Sequence, residues 1–477
     1  MKPFCTRAHL LWLAVFAVSF LAANAAFAAD PPTVQTSAIE QRVAQLEQQA
    51  LKQVPVINTG DNAWVLASSA LVLMMTAPGL ILFYGGLVRR KNVLSTMMHS
   101  MILMGIMSMI WMVYGYSMAF GEGNAFFGNP LQYFLLKGVG GAPNADYAAT
   151  VPQQSFMLFQ MMFVIITPAL ISGAIAERIR FEAYALFMVL WVTLVYLPLA
   201  HMVWGKGGLF NWALGGRIPV LDFAGGTVVH ISSGVSALVC AIVLGKRMGY
   251  PHEPMPPHNV VYSLIGTGLL WVGWFGFNAG SALSAGELAT SAFAATHFSA
   301  AAAAMSWAGM EWLFKGRPSV LGAASGMVAG LATITPASGF VSVPAAVLIG
   351  LASGVVCYLG VTKLKSRFGY DDALDVFGVH GLGSTTGMLL LGFLASPTVN
   401  PLLTTTFKTN GKTVALEGGM SQFVNQLQGV LFTAVLSGVV TWGLLKLVDK
   451  WVGLRVNEDE ETLGLDLSQH GESAYNE

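Results

Sequence analysis

Charge is what this sequence has least of. Only 10% of its 477 residues are Asp, Glu, Lys or Arg, while 55% are hydrophobic; soluble domains of ordinary composition carry charge on about a quarter of their residues. So few charged side chains cannot cover a water-soluble globule of this length, and the composition selects a polytopic membrane protein. The formal net charge is zero, and the basic residues are scattered rather than clustered, which sets nucleic acid aside as a partner. Cysteine is nearly absent as well. Cys5, Cys240 and Cys357 make no CxxC pair and no metal-ligand spacing, and the last two lie inside apolar runs, where the residue behaves as a small buried hydrophobe.

What the chain has instead is apolar length. Lys2 and Arg7 precede the run from Leu10 to Phe20, and Ala26, Phe27 and Ala28 offer a small-x-small cleavage site, so residues 1–28 read as a signal peptide and the mature chain starts near Ala29. An uncleaved first membrane helix is the alternative, for which this run is short. Residues 29–62 are polar, with Ile39, Val43 and Leu46 at helical spacing ahead of a stretch with proline and glycine; they read as an extracytoplasmic extension carrying a short surface helix. Residues 63–448 hold eleven apolar segments long enough, or nearly so, to span a bilayer. They fall near 63–84, 93–120, 153–176, 183–204, 223–245, 258–278, 287–314, 319–336, 342–362, 376–396 and 422–448. Several are rich in glycine and alanine, which lets helices approach closely in a bundle. Residues 449–477 form a polar tail.

Lysine and arginine are retained on the cytoplasmic side of a membrane, which sorts the loops. Alternate loops carry Arg89, Arg90 and Lys91, then Arg178 and Arg180, Lys246 and Arg247, Lys315 and Arg317, and Lys363, Lys365 and Arg367, twelve basic residues in all. The loops between them hold five, Lys137, Lys206, Arg217, Lys408 and Lys412. This alternation supports the span count and puts the mature N-terminus outside and the tail inside. The expected fold is an all-α polytopic membrane protein with eleven transmembrane helices.

Two of the spans share an outline. Residues 222–230 read DFAGGTVVH and residues 372–380 read DALDVFGVH, each with an Asp, a histidine eight residues later and a valine just before it. They belong to spans five and ten. An offset of five spans turns the second half upside down, giving an inverted 5+5 repeat about a pseudo-twofold axis, with sites near the midplane between the halves. An Asp at the mouth of a membrane helix would put its histidine ~12 Å deeper, close to the midplane. Asp222 then starts its span from outside and Asp372 from inside, while His230 and His380 can meet in the middle.

Ionisable groups at that depth are expensive and are functional-site candidates by default. The histidines fit a metal pair, a proton relay or two hydrogen-bonded core residues. Without a carboxylate or thiolate in the same segment they leave a zinc site short of its usual three protein ligands. A facing neutral pair, each ring with one donor and one acceptor, can line an apolar path and pass a proton. Asp222 and Asp372 both fit helix N-caps. Asp222 could also help recruit positive charge, and Asp371 and Asp375 read as surface or tail contacts on the cytoplasmic side.

Phe159, Phe163, Trp204, Trp274 and Phe277 lie near the outer ends of their spans, with Ser281 soon after. Such rings form an interfacial belt, or their faces bind a small cation, on the order of 1–2 kcal/mol when desolvated. Burying a bare charge costs roughly several to tens of kcal/mol. An aromatic vestibule above apolar walls therefore attracts a cation without letting it cross intact, whereas a substrate that gives up a proton can pass.

The stretch DFAGGTVVHISSG at 222–234, with AERIRF at 176–181, AHMVWG at 200–205, GWFGFNAGS at 273–281 and DVFGVHG at 375–381, resembles the ammonium transporter, methylammonium permease and Rhesus family over most of the chain. The resemblance implies a homotrimer of eleven-helix protomers, each with its own pore. It implies that Trp204, Phe159 and Ser281 form the outer ammonium-recruiting site, with Asp222 beneath as the acid needed for transport. Phe163 and Phe277 correspond to the stacked phenyl gate, and His230 and His380 to the twin-histidine pair in the pore. Ammonium, with methylammonium as its analogue, is expected to bind outside and lose a proton before ammonia crosses; whether the proton follows through the histidines stays open.

No cofactor or metal is implied, and the expected setting is the bacterial cytoplasmic (inner) membrane. VGLRV at 452–456, GLD at 464–466 and HGESAY at 470–475 resemble the cytoplasmic segment of bacterial members that contacts P-II signal proteins, whose loop can plug the pore. As bare sequence this is a polar tail, disordered or in contact with its neighbours. The loop from Trp204 to Asp222, with Lys206 and Arg217, and the extension before Asp61 are longer than the family pattern.

Two other readings stay open. An ammonium sensor would report through the same tail; the short sequence after the last span, without a fused signalling domain, favours transport. A membrane enzyme would need a third ligand or a nucleophile near the histidines, which the sequence lacks. His99, His201, His252, His258, His297 and His470 carry no pattern and read as structural or solvated.

Overall fold

The computed structural model describes residues 57–475 except residue 410; the expected signal peptide and most of the expected extension lie outside the described residues. The first five helices are Thr59–Leu87 (α1), Arg90–Phe120 (α2), Gln153–Ile175 (α3), Phe181–Trp204 (α4) and Gly226–Leu244 (α5). Val260–Gly280 (α6) follows, then Glu287–Lys315 (α7) and Val320–Ile334 (α8). Val343–Phe368 (α9), Phe377–Leu394 (α10) and Met420–Val452 (α11) complete the set. Among the described residues, nine of these are long and apolar enough to cross a membrane. The two that fall short are α7, where serine, threonine and His297 dilute the alanines, and α8, which has 15 residues.

Local chemistry sets the helix starts. The Asn58 side chain accepts from the backbone N–H of Gly60 at 2.9 Å and of Asp61 at 3.1 Å at the start of α1, and Ser319 accepts from Gly322 N–H at 2.9 Å at the start of α8; both satisfy donors that the first turn leaves free. The packing repeats at an offset of five helices. α3 packs against α1, α2 and α5, and α8 against the corresponding α6, α7 and α10 and also against α9. α11 lies outside this repeat, against α4, α5 and α10. Its opposite face exposes Leu431, Val435, Val439 and Trp442, a continuous apolar stripe at helical spacing suited to lipid or another apolar surface.

α4 runs from the tail side of the molecule to Trp204 on the other. On the tail side the chain after α11 is folded, not loose. Lys91 Nζ donates to the carbonyls of Glu461 and Thr462 at 2.9 and 2.8 Å, Ser95 N–H to Asp466 at 2.8 Å, Leu465 N–H to Asn92 at 2.8 Å and Phe181 N–H to Gln469 at 3.2 Å. The tail thus ties down the first turns of α2 and α4.

Candidate functional site

The two histidine-bearing helices begin inside the protein. α5 starts at Gly226 and α10 at Phe377, so His230 is the fifth residue of its helix and His380 the fourth of its own, rather than each lying ~12 Å along it as ideal helix geometry suggested. The residues between each acid and its helix are irregular backbone, and both acids are buried by the surrounding protein. Asp222 is 2% exposed. Its carboxylate accepts from the backbone N–H of Gly225, Gly226 and Thr227 at 2.8, 2.6 and 2.7 Å and from the Thr227 hydroxyl. These four donors occupy about as many lone-pair sites as a carboxylate offers, and the Asp222 carbonyl holds the Trp204 indole N–H at 3.1 Å. Gly225, at φ 116°, makes the turn; a Cβ there would also strike Val229.

Asp372 caps α10 in the same way, accepting from Phe377 N–H at 2.8 Å, but its other oxygen is buried without a partner. Burial pushes this carboxyl up to about 6. α5 starts from the Trp204 side and α10 from the tail side, and they pass at Gly234 and Gly381, where a Cβ on Gly234 would overlap the Gly381 backbone. That close approach brings the imidazoles together. Nδ1 of His230 lies 3.2 Å from Nδ1 of His380, with the ring planes 10° from parallel. One Nδ1 must carry a proton and the other accept it, so in the neutral pair one Nε2 is N–H and the other a bare lone pair.

Aromatic rings stand on the Trp204 side of this pair. Phe163 and Phe277 are 4.4 Å apart between centroids, Phe159 meets Phe163 at 5.0 Å, and Trp204 meets Phe163 edge-on at 6.1 Å. Two rings lie against His230, Phe277 at 5.9 Å and Trp274 at 5.5 Å. Phe159, Phe163 and Phe277 are buried, whereas Trp204 is half-buried. Ser281 ends α6 and donates its hydroxyl to the Phe277 carbonyl at 2.8 Å. Its neighbour Gly280 backs onto Phe159, where a Cβ would sit 2.9 Å from the ring.

A cavity of about 10 Å³ lies at the histidines, walled by Phe277, Trp274, Val229, Ile166, Leu170, Phe83 and Val328 among others. It holds one water-sized molecule. A larger cavity of about 180 Å³ opens on the tail side and shares Phe83, Val328 and His380 with the first. His380 therefore borders both spaces.

Asp375 lines the larger cavity. Its backbone is left-handed at φ 61°, and its carboxylate accepts from Lys365 Nζ at 2.6 Å. Asp371 is a clear correction to the sequence reading: it is no surface contact but 1% exposed. It receives Arg247 Nη2 at 2.8 Å and Nε at 2.9 Å, and its carbonyl accepts from Arg178 at 2.6 Å. Glu177, also buried, receives Arg89 Nε at 2.7 Å and Arg247 Nη1 at 3.4 Å. Burial works against both carboxylates, yet Arg247, helped by Arg89 at Glu177 and Arg178 at Asp371, holds them below the usual range. Among the described residues, no group of three or more His, Cys, Asp or Glu is placed to hold a metal ion.

Sequence reasoning did not pick out Phe83 and Val328, which are ordinary apolar residues in apolar helices, or Thr335, which carries no motif. Comparison with known proteins bears on the whole assembly. The sequence profile of the Ammonium Transporter Family matches residues 63–475. An ammonium transporter of Bacillus subtilis is 48% identical over 416 residues, covering 87% of this chain and 98% of its own. One from Aquifex aeolicus is 45% identical over 421 residues, covering 88% and 94%. The crystal structure of Mep2 from Candida albicans matches with a TM-score of 0.77 at 34% identity, covering 88% of this chain and 90% of that one.

Proposed function

The chain belongs to the ammonium transporter family, and on that premise we propose that it carries ammonium by stripping it to ammonia on the way. One observation carries this reading: the space at His230 and His380 admits a single water-sized molecule between apolar walls. A hydrated ammonium ion does not fit there, and a bare one would lose its hydration for cation-π contacts on the order of 1–2 kcal/mol, far below the cost of burying a charge. Ammonia has no charge to strip.

In this reading Trp204, Phe159 and Ser281 recruit ammonium at the outer face. Asp222 supports them by fixing Trp204 and adding negative charge beneath it, not with a free oxygen. Phe163 and Phe277 gate the path. The proton moves separately along the histidines: it is taken up at the bare Nε2 of one ring and released from the N–H of the other, so ammonia and proton together amount to ammonium. The chain crosses the bacterial inner membrane eleven times in two inverted halves, N-terminus outside and tail inside. The loop charges, the repeated packing and the opposed starts of α5 and α10 support that arrangement.

The apolar outer faces suit a homotrimer in a lipid bilayer, and the tail-side cavity suits a P-II signal protein loop. The names of its relatives favour transport over an ammonium sensor. Cells expressing the chain should take up labelled methylammonium saturably, in competition with ammonium; no uptake by correctly inserted protein would contradict the proposal.

A further inference from the structure

We propose that Thr335 is a positioning residue for the histidine pair, acting through Trp274, an inference that rests on the pair lying on the conduction path. Trp274 is 2% exposed, and its indole stacks on His230 with the planes 18° from parallel. Its Nε1–H donates to the Thr335 hydroxyl at 2.9 Å, and that hydroxyl donates to the Leu331 carbonyl at 2.8 Å. Thr335 follows directly on α8, fully buried, and is not among the residues lining either cavity. A hydroxyl has one proton, and here it is committed to Leu331, so the oxygen facing the indole can only accept. The direction of both bonds is therefore set, and the indole is held in one orientation.

The consequence reaches His230. An imidazole on a helix can still turn about its side-chain bonds unless packed faces stop it. The Trp274 indole is one such face and the Phe277 ring, 29° from parallel, is another. Tilting His230 would lengthen its 3.2 Å contact with His380, already at the long end of useful hydrogen-bond distance. Thr335 thus fixes Trp274, Trp274 fixes the imidazole plane, and the plane decides whether the two Nδ1 atoms share a proton.

The test uses purified full-length protein in liposomes and reads two quantities, the ammonium-evoked current and its ratio to the potassium-evoked current. Thr335→Val should lower the current on the order of tenfold or more, as misplacement of a reacting group does, and move the ratio toward that of a His230→Ala/His380→Ala double variant. Trp274→Phe, which keeps an aromatic face but loses the N–H, should do the same, whereas Thr335→Ser should keep both readouts. Wild-type current and ratio in folded Thr335→Val overturn the proposal, as does a Thr335→Ser variant as impaired as Thr335→Val, which would assign the effect to packing of the methyl group. If Thr335→Val does not fold, Trp274→Phe decides by the same two readouts. A double-histidine variant with unchanged current and ratio overturns the path reading itself, and the positioning role with it.

Discussion

Gly234 and Gly381 meet backbone to backbone where α5 passes α10, so closely that a methyl group on Gly234 would overlap the nitrogen and Cα of Gly381. The 3.2 Å contact between the histidines depends on that approach. Gly234→Ala should force the helices apart, destabilise the protein by about 1–3 kcal/mol through overpacking, and reduce methylammonium uptake far more than the loss of folded protein explains. Uptake normalised to folded protein is the measurement, and a wild-type value would show that the pair tolerates separation.

Asp222 holds four donors at the start of α5 and, through its carbonyl, Trp204. Asp222→Ala should abolish uptake and lower stability on the order of 3 kcal/mol, because buried donors lose their acceptor. Asp222→Asn should fall between, since its amide turns N–H groups toward donors that a carboxylate accepts. Methylammonium uptake checks the first quantity and thermal unfolding in detergent the second; normal uptake by folded Asp222→Ala protein would remove the acid from the mechanism.

Arg247 compensates the buried carboxylates of Glu177 and Asp371. Removing one partner of a buried pair costs about 3–5 kcal/mol, so Arg247→Ala should unfold at a markedly lower temperature. Both acids are held below their unfolded values. Their stabilisation is therefore fully present above the unfolded carboxylate pKa of about 4 and is lost as pH falls through their lower folded values. A wild-type protein whose melting temperature does not fall on acidification below about pH 4 would count against this.

Asp372 has the opposite sign. Burial raises it to about 6, so its ionisation costs stability, with the full cost present above that value and relieved as pH falls from there toward about 4. Asp372→Asn keeps an acceptor for Phe377 N–H and removes the charge. It should be more stable than wild type at pH 7.5, on the order of 3 kcal/mol, and hardly more stable at pH 4. Equal melting temperatures at both pH values would contradict the assignment.

The helices were legible because an apolar helix is a local property: apolar runs in the sequence fall within a few residues of α1 to α11. The histidine pair was legible because one outline recurs 150 residues apart. The start of α5 was not. Phe223, Ala224 and Gly225 look as apolar as a span, and only buried irregular backbone distinguishes them from its first turn. Asp371 was misread because its partners Arg247 and Arg178 are 124 and 193 residues away, a distance at which sequence carries no pairing signal. Thr335 was invisible for the same reason, since its meaning lies in the Trp274 indole 61 residues earlier.

If ammonium is divided into ammonia and a proton that travel separately, the proton passing along His230 and His380, its transport carries charge through that pair. The most direct test is the current evoked by an ammonium jump across liposomes containing purified protein, compared with the His230→Ala/His380→Ala variant. The wild-type current should be specific to ammonium over potassium, and the double variant should show a changed current or the loss of that specificity. The same current with the same specificity in both proteins would contradict it.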